Sequence, residues 1–178
     1  MSQHLVISKP NPDEYPEWFA GEINPVAYND LIPDLYISHD ITRTFLSSLG
    51  DEQLHYRYAE GKWTIKEMWQ HVIDVERVLT YRALRWSRND NNVLHGFDHL
   101  AWVHNSNANN RNWQDILDEY SDVRKASTRL FKSFDMGMIM RRGTAGKSTL
   151  TVRAVGFLLL GHELHHANTI REKYLDKK

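Results

Sequence analysis

Apolar residues recur at steps of three and four in four separate stretches of this sequence, as they do on the buried side of an α-helix. The stretches run from about Asp30 to Gly50, from Thr64 to Asp90, from Asn112 to Phe134 and from Thr151 to Tyr174. Because one such helix cannot cover its own apolar face, the four must pack together. The sequence therefore predicts an all-α fold, a four-helix bundle with a long connection between its second and third helices.

The second of these helices has the clearest N-terminal signal. Thr64 with Glu67 three residues later matches a capping box, and Trp63 before it can contribute to a hydrophobic staple. The apolar seam that follows consists of Ile65, Met68, Val72, Val75 and Leu79. His71 flanks this seam and is therefore predicted to point at least partly inward.

The last helix carries two histidines where its seam requires apolar core residues. The seam consists of Val155, Leu159, His162, His166 and Thr169. Residues four apart on a helix are displaced by about 6 Å along its axis and only about 40° around it, so both imidazoles can face one ion. A shared cation would satisfy the nitrogens of two buried rings. The alternative is that each is a core histidine bonded to a nearby carbonyl or hydroxyl.

A third metal ligand is predicted upstream of this pair. The string HELHH at residues 162–166 also fits H-E-x-x-H, the zinc-protease signature in which the glutamate activates water. Such proteases take their third ligand from beyond the motif, where this chain offers only the carboxylates Glu172 and Asp176. His71 on the second helix would instead complete a three-nitrogen site, with its other positions open to water or substrate.

The sequence also allows predictions for other polar residues near these histidines. Asp74, one turn after His71, is a candidate for orienting an imidazole, and the alternative is a solvent-facing carboxylate. Glu76 is predicted to be solvated, and Glu163 to point away from a metal on the seam. His165 is predicted to lie at the bundle edge, where it could replace His166 as a ligand.

The connection between the second and third helices, from Asp90 to Asn112, is longer than most. Its histidines His95, His99 and His104 could line the mouth of a site, although loop histidines are more often solvated.

The turn RRGTAGKST before the last helix ends like a P-loop. Arg141 stands where that motif requires its first glycine, so a hairpin-like connection is predicted instead.

Composition limits the possible partners. The chain has 178 residues, and we predict an irregular leader at 1–27 packed on a bundle domain at 28–178. With 22 basic and 23 acidic residues, the sequence lacks the basic excess of a nucleic-acid-binding protein. There is no cysteine, so a metal must bind nitrogen and oxygen. No secretion signal or membrane span is recognisable, and we expect a cytoplasmic protein with no membrane partner.

Two segments carry a family resemblance: KWTIKEMWQHVIDVERV at 62–78 and RRGTAGKSTLTVRAVGFLLLGHELHHANTIREKYL at 141–175. They resemble the DinB and YfiT-like superfamily of bacterial four-helix bundles. The resemblance implies that His71, His162 and His166 bind one divalent metal ion, zinc, nickel or iron. It also implies a homodimer.

The resemblance further implies a metal-dependent enzyme with a small-molecule substrate. Family members of known activity are thiol-dependent transferases and isomerases, in which the metal would lower the pKa of a low-molecular-weight thiol cosubstrate and present its thiolate to an electrophile. Hydrolysis of an ester or amide by metal-bound water uses the same histidines and is the alternative. A further alternative is a non-enzymatic bundle that binds metal for stability or a small molecule in a stress response.

Overall fold

The computed structural model describes residues 5–27 and 29–175, and its architecture is a bundle of four long helices. The helices are α1 Ala20–Ile23, α2 Leu31–Ser47, α3 Asp51–His55, α4 Ile65–Ser87, α5 His99–His104, α6 Trp113–Lys132, α7 Met136–Ile139 and α8 Val152–Thr169. Strands β1 Arg142–Ala145 and β2 Ser148–Thr151 form an antiparallel hairpin. The long helices α2, α4, α6 and α8 confirm the predicted four-helix bundle, and the hairpin confirms the predicted connection before α8.

Short helical turns complete the described chain. Three 3-10 turns, at Pro12–Glu14, Glu17–Phe19 and Ala108–Asn110, lie in the leader and the long connection. A π-helical segment, Ile170–Leu175, extends α8. None of the helices in the described residues is long and apolar enough to cross a membrane.

Side chains at the helix starts fix the ends of the bundle helices. Thr64 Oγ1 accepts from the Glu67 amide at 3.1 Å, and the Thr64 amide donates to the Glu67 carboxylate at 2.8 Å, which confirms the capping box. The Asn112 side chain caps α6 by accepting from the Gln114 amide, and the Thr151 side chain caps α8 by accepting from the Ala154 amide. The long connection is more ordered than its polar sequence suggests, because Asp98 caps the short helix α5 within it.

Two clusters of buried apolar side chains fill the bundle, one toward each end. The first includes Leu35, Leu79, Phe131 and the α8 residues 157–160, and the second includes Leu46, Trp69, Ile116 and Ala167. The α8 histidines lie between Leu160 of the first cluster and Ala167 of the second. On α4 the second cluster ends at Ile73 and the first begins at Val75, so His71 lies within one helical turn of the same boundary. The fold therefore brings histidines from α4 and α8 to the same level of the bundle.

A leader of short helices packs on this core. Ile7, Tyr15, Ile23 and Val26 are buried in the first apolar cluster. Helix α1 lies against α8 at Gly161, where an added Cβ would be only 2.2 Å from the backbone oxygen of Glu22. The division of the chain at residue 27 stays a prediction.

A methyl group at Gly161 is expected to destabilise the fold. Since the clash is with backbone, Gly161→Ala should cost about 1–3 kcal/mol even though alanine favours a helix. Urea unfolding measures the change. Gly21→Ala on α1 is the matched control, because no atom lies within 4 Å of its added Cβ. Equal stability of the two variants would contradict the close contact between α1 and α8.

The sequence prediction for Glu76 was wrong. Its side chain is 2% exposed, and its two carboxylate oxygens accept hydrogen bonds from Arg124 on α6 at 2.8–3.2 Å. Arg124 also lies 2.6 Å from Glu163, which accepts hydrogen bonds from Ser38, Thr42 and Tyr120. Burial of the carboxylate is possible because a fully buried guanidinium neutralises it.

Candidate metal centre

Three histidine nitrogens meet between α4 and α8. The distance from His71 Nε2 to His162 Nε2 is 3.2 Å, and that from His166 Nε2 to His162 Nε2 is 3.1 Å. All three potential ligand atoms lie within 4.8 Å of one another. Nitrogens bound to one metal at about 2.1 Å are about 3.0 to 3.4 Å apart in octahedral and tetrahedral geometry. The three predicted residues, here named the three-histidine cluster, therefore have the spacing of a metal site.

The backbone explains this convergence. His162 and His166 are one turn apart on α8, and their ring centroids are 4.5 Å apart. Helix α8 runs antiparallel to α4, since Tyr174 after its end donates to the Trp63 carbonyl at the start of α4, at 2.7 Å. This register places His71 opposite the pair, with ring centroids 5.0 and 5.1 Å from theirs.

Hydrogen bonding within the cluster cannot satisfy all of its nitrogens. In a neutral imidazole, Nε2 offers either one proton or one lone pair. His162 Nε2 therefore cannot form good hydrogen bonds to both neighbouring Nε2 atoms, whereas a cation can accept all three lone pairs. Among the described residues, the rings of the cluster form their hydrogen-bond contacts with one another, and buried His166 Nδ1 has no partner. These contacts favour a shared cation over separate core histidines bonded to carbonyls or hydroxyls.

The surroundings keep the three rings neutral. The pKa of His71 is lowered to about 4, mainly by burial and to a smaller extent by the electrostatic effect of the nearby His99 ring. The pKa of His166 is lowered to about 3, mainly by burial and less by the neighbouring rings of His71, His165 and His99. Burial also holds the pKa of His162 well below its usual value. The rings thus carry free lone pairs at neutral pH, the protonation state that metal binding requires.

A cavity of about 380 Å³ lies beside the cluster. Its apolar wall consists of Phe19, Trp63, Val75, Leu79, Phe97 and Leu158. Glu22 from α1 and Arg82 from α4 add one carboxyl group and one guanidinium group to this lining. The site therefore combines three metal-binding groups at one place with room for a small molecule next to them.

Two further histidines line the same cavity. His99, the first residue of α5, has its ring 5.7 Å from that of His71. His165 is exposed, and its ring lies 5.0 Å from that of His166. His95 and His104 are exposed and are not part of the described cavity lining. Of the loop histidines that were predicted to cover a site, only His99 therefore lies at this one.

The remaining candidate residues make their described contacts outside the cluster. The Asp74 carboxylate accepts a hydrogen bond from Gln70 at 3.0 Å and lies 3.5 Å from Arg77, so its described contacts are not with an imidazole. Glu163, the glutamate of the H-E-x-x-H string, is bonded to α2 and α6. Glu172 is exposed, and Asp176 lies outside the described residues.

Sequence reasoning did not identify Glu22 or Arg82 as site residues. Arg82 carried a usable signal, because it follows His71 by about three helical turns and so shares its face of α4. Glu22 carried none, because its position depends on how the leader packs against α8.

A helical bundle with three converging histidines beside a cavity has the architecture in which helical proteins build metal sites. Residues 34–170 match the family model of the DinB superfamily, and the chain belongs to that superfamily. This confirms the family predicted from the sequence.

The fold is also similar to a solved structure. YfiT from Bacillus subtilis, described as a probable metal-dependent hydrolase with an unusual four-helix bundle topology, matches with a TM-score of 0.73 and 19% sequence identity. The match covers 80% of this chain and 82% of that chain. At this identity the likeness establishes the fold. The comparison with curated proteins found no match.

Proposed function

We propose that this protein is a metal-dependent hydrolase in which His71, His162 and His166 hold one divalent cation beside the cavity. The observation that carries the proposal is the convergence of three neutral Nε2 atoms, 3.1 and 3.2 Å apart, at the wall of a cavity. The description of YfiT as a probable metal-dependent hydrolase supports the reaction type. When bound, such a cation supplies Lewis-acid activation of a nucleophile and of the group under attack.

The chain's own residues determine the rest of the chemistry. Three imidazole ligands suit zinc, nickel or iron(II) better than magnesium or calcium, which prefer oxygen. The apolar side chains of Trp63, Phe97 and Leu158 limit water in the cavity and so strengthen charge interactions there. Glu22 is the carboxyl group of the lining, and burial raises its pKa, which brings it closer to the working range of an acid or base at neutral pH.

Ester hydrolysis tests this function directly. We expect the protein loaded with zinc, nickel or iron to hydrolyse simple aryl esters, and chelation to abolish that activity. His166→Ala should lower kcat/KM by about 100-fold or more, because it removes a ligand. His104→Ala, an exposed histidine outside the described cavity lining, is the control and should retain activity.

Other outcomes of the same assay point to the alternatives. A loaded protein that leaves esters intact but transfers a small thiol to an electrophile would replace hydrolysis by the thiol transfer that the family resemblance implies. A loaded protein inert in both assays would indicate the non-enzymatic bundle. The thiol cosubstrate, the homodimer and the cytoplasmic location stay predictions, each open to its own measurement.

A further inference from the structure

Apart from its histidines, the described cavity lining contains one basic residue, Arg82. It lies on α4 about three helical turns, or about 16 Å of helix axis, beyond His71. Val75 and Leu79 lie between them on the same face of the helix and line the same cavity. The three-histidine cluster and Arg82 are therefore joined by a continuous apolar wall.

The contacts of Arg82 orient its guanidinium and leave donors available. The Cζ atom lies 5.6 Å from the centroid of the Phe97 ring, and Nη2 donates to the His95 carbonyl at 3.2 Å. Among the described residues, Nε and Nη1 have no hydrogen-bond partner. Burial lowers the pKa of Arg82, but a guanidinium stays protonated in proteins. An oriented, partly desolvated cation with free donors is thus present in the cavity wall.

No carboxylate in the described part of the chain pairs with this cation. Three other arginines with limited exposure have such partners: Arg124 faces Glu76, Arg153 faces Glu14 and Arg111 faces Glu119. Glu22 lines the same cavity, yet its carboxyl group has no hydrogen bond or ion pair with any described residue. Arg82 therefore lacks the internal counter-ion that these three arginines have.

We propose that Arg82 forms an anion subsite at the far end of the cavity, and that the protein takes a small, mainly apolar substrate with a carboxylate or phosphate group. A charge-assisted contact to the free N–H groups of the guanidinium would compensate its desolvation. The apolar wall between Arg82 and the cluster accommodates a hydrocarbon segment. The inference deepens the proposed hydrolase function, on which it rests for the reaction at the other end of the substrate.

The length of the cavity wall limits the length of the substrate. An arginine side chain spans roughly 6 Å and leans toward the N-terminus of its helix, so its guanidinium is roughly 10 to 16 Å from the level of His71. A chain of about six carbons with its head group covers the shorter end of this range. Hexanoate, hexyl phosphate and neutral hexanamide are therefore suitable probes, because they share the chain and differ in the head group.

The test measures binding of these three probes to the full chain after removal of metal by chelation, so that an anion cannot bind a cation at the cluster. Isothermal titration gives the Kd values. Wild type should bind hexanoate or hexyl phosphate about tenfold more tightly than hexanamide, since hydrogen bonds to charged groups are the stronger kind. Whichever anion binds more tightly identifies the head group as carboxylate or phosphate.

Substitutions at Arg82 separate charge recognition from a structural role. In Arg82→Gln the anion preference should fall to about one, whereas Arg82→Lys should retain part of it. Arg88→Gln is the matched control, because Arg88 also stacks on a ring, 5.7 Å from the centroid of Phe134, but is not part of the described cavity lining. If Arg82 only held the connection in place, Arg82→Gln would weaken all three probes equally.

An unchanged anion preference in Arg82→Gln, or its absence from the wild type, would overturn the subsite. These results do not depend on metal or on turnover. An anion preference that requires Arg82, in a protein that hydrolyses nothing when loaded with metal, would support the subsite while the hydrolase function failed.

Discussion

Replacing His71 or His166 by alanine should release the metal ion from this protein. After reconstitution and dialysis, wild type is expected to carry about one equivalent of zinc, nickel or iron per chain. Each substitution removes one of three converging nitrogens, and we expect affinity to fall at least about 100-fold, more than for the loss of a residue that only orients a ligand. Elemental mass spectrometry of untagged protein measures the metal content.

His165→Ala is the sharpest control for this experiment. It removes an imidazole from the same helix, next to His166, but from an exposed position outside the cluster. We expect it to retain the metal. Loss of metal in His165→Ala, or its retention in His71→Ala, would contradict the assignment of His71, His162 and His166 as the ligands.

The cation should also be open to an external ligand. The cluster lies at the wall of a cavity, so azide or a small thiol can approach it without unfolding the bundle. A cation that serves stability alone would be closed to such ligands, and its removal would lower the melting temperature strongly. Addition of azide to the cobalt-substituted protein, followed by visible spectroscopy, distinguishes these cases.

Local patterns in the sequence sufficed to predict the bundle and the cluster. The capping box at Thr64 depends on residues three apart, and the seam of α8 depends on residues three and four apart. The pairing of His71 with His162 needed one further step, because two helices in a bundle turn their apolar seams toward each other. These features are set by short-range spacing, which a single sequence shows directly.

Features that depend on distant partners were missed. Glu76 is buried because Arg124, 48 residues away in sequence, lies opposite it, and nothing next to Glu76 in the sequence indicates that arginine. Glu22 reaches the cavity because the leader packs at Gly161 on α8. In both cases a tertiary contact outweighs the local composition.

Arg124→Met should be among the most destabilising substitutions in the described part of this chain. It leaves the carboxylates of Glu76 and Glu163, 2% and 0% exposed, without their shared cation, and we expect a loss of about 3–5 kcal/mol in the free energy of unfolding. Urea denaturation followed by circular dichroism measures it. Arg129→Met on the exposed side of the same helix is the control and should change stability by less than about 0.5 kcal/mol.

The pH dependence of this loss distinguishes unpaired charge from lost packing. In wild type, burial by itself would raise the pKa of Glu163. The charge of Arg124 and the hydroxyls of Ser38 and Thr42 outweigh burial, so the pKa lies below the usual 4.5. Its contribution is therefore present at neutral pH and is lost as pH falls through the folded-state pKa. In Arg124→Met, burial without the cation raises the pKa above the unfolded value, so the variant is relatively more stable at acidic pH.

The difference in stability between wild type and Arg124→Met should therefore be largest at neutral pH and should shrink as pH falls toward about 4.5. A difference that stays constant over this range would show that the lost packing of the arginine, and not the uncompensated carboxylates, destabilises the variant.

Adding Glu76→Gln to Arg124→Met provides a second check, because removing one of the two buried charges should restore part of the stability at neutral pH. Because Glu163 directly follows His162, this network also holds the rotation of α8 that turns His162 and His166 toward α4.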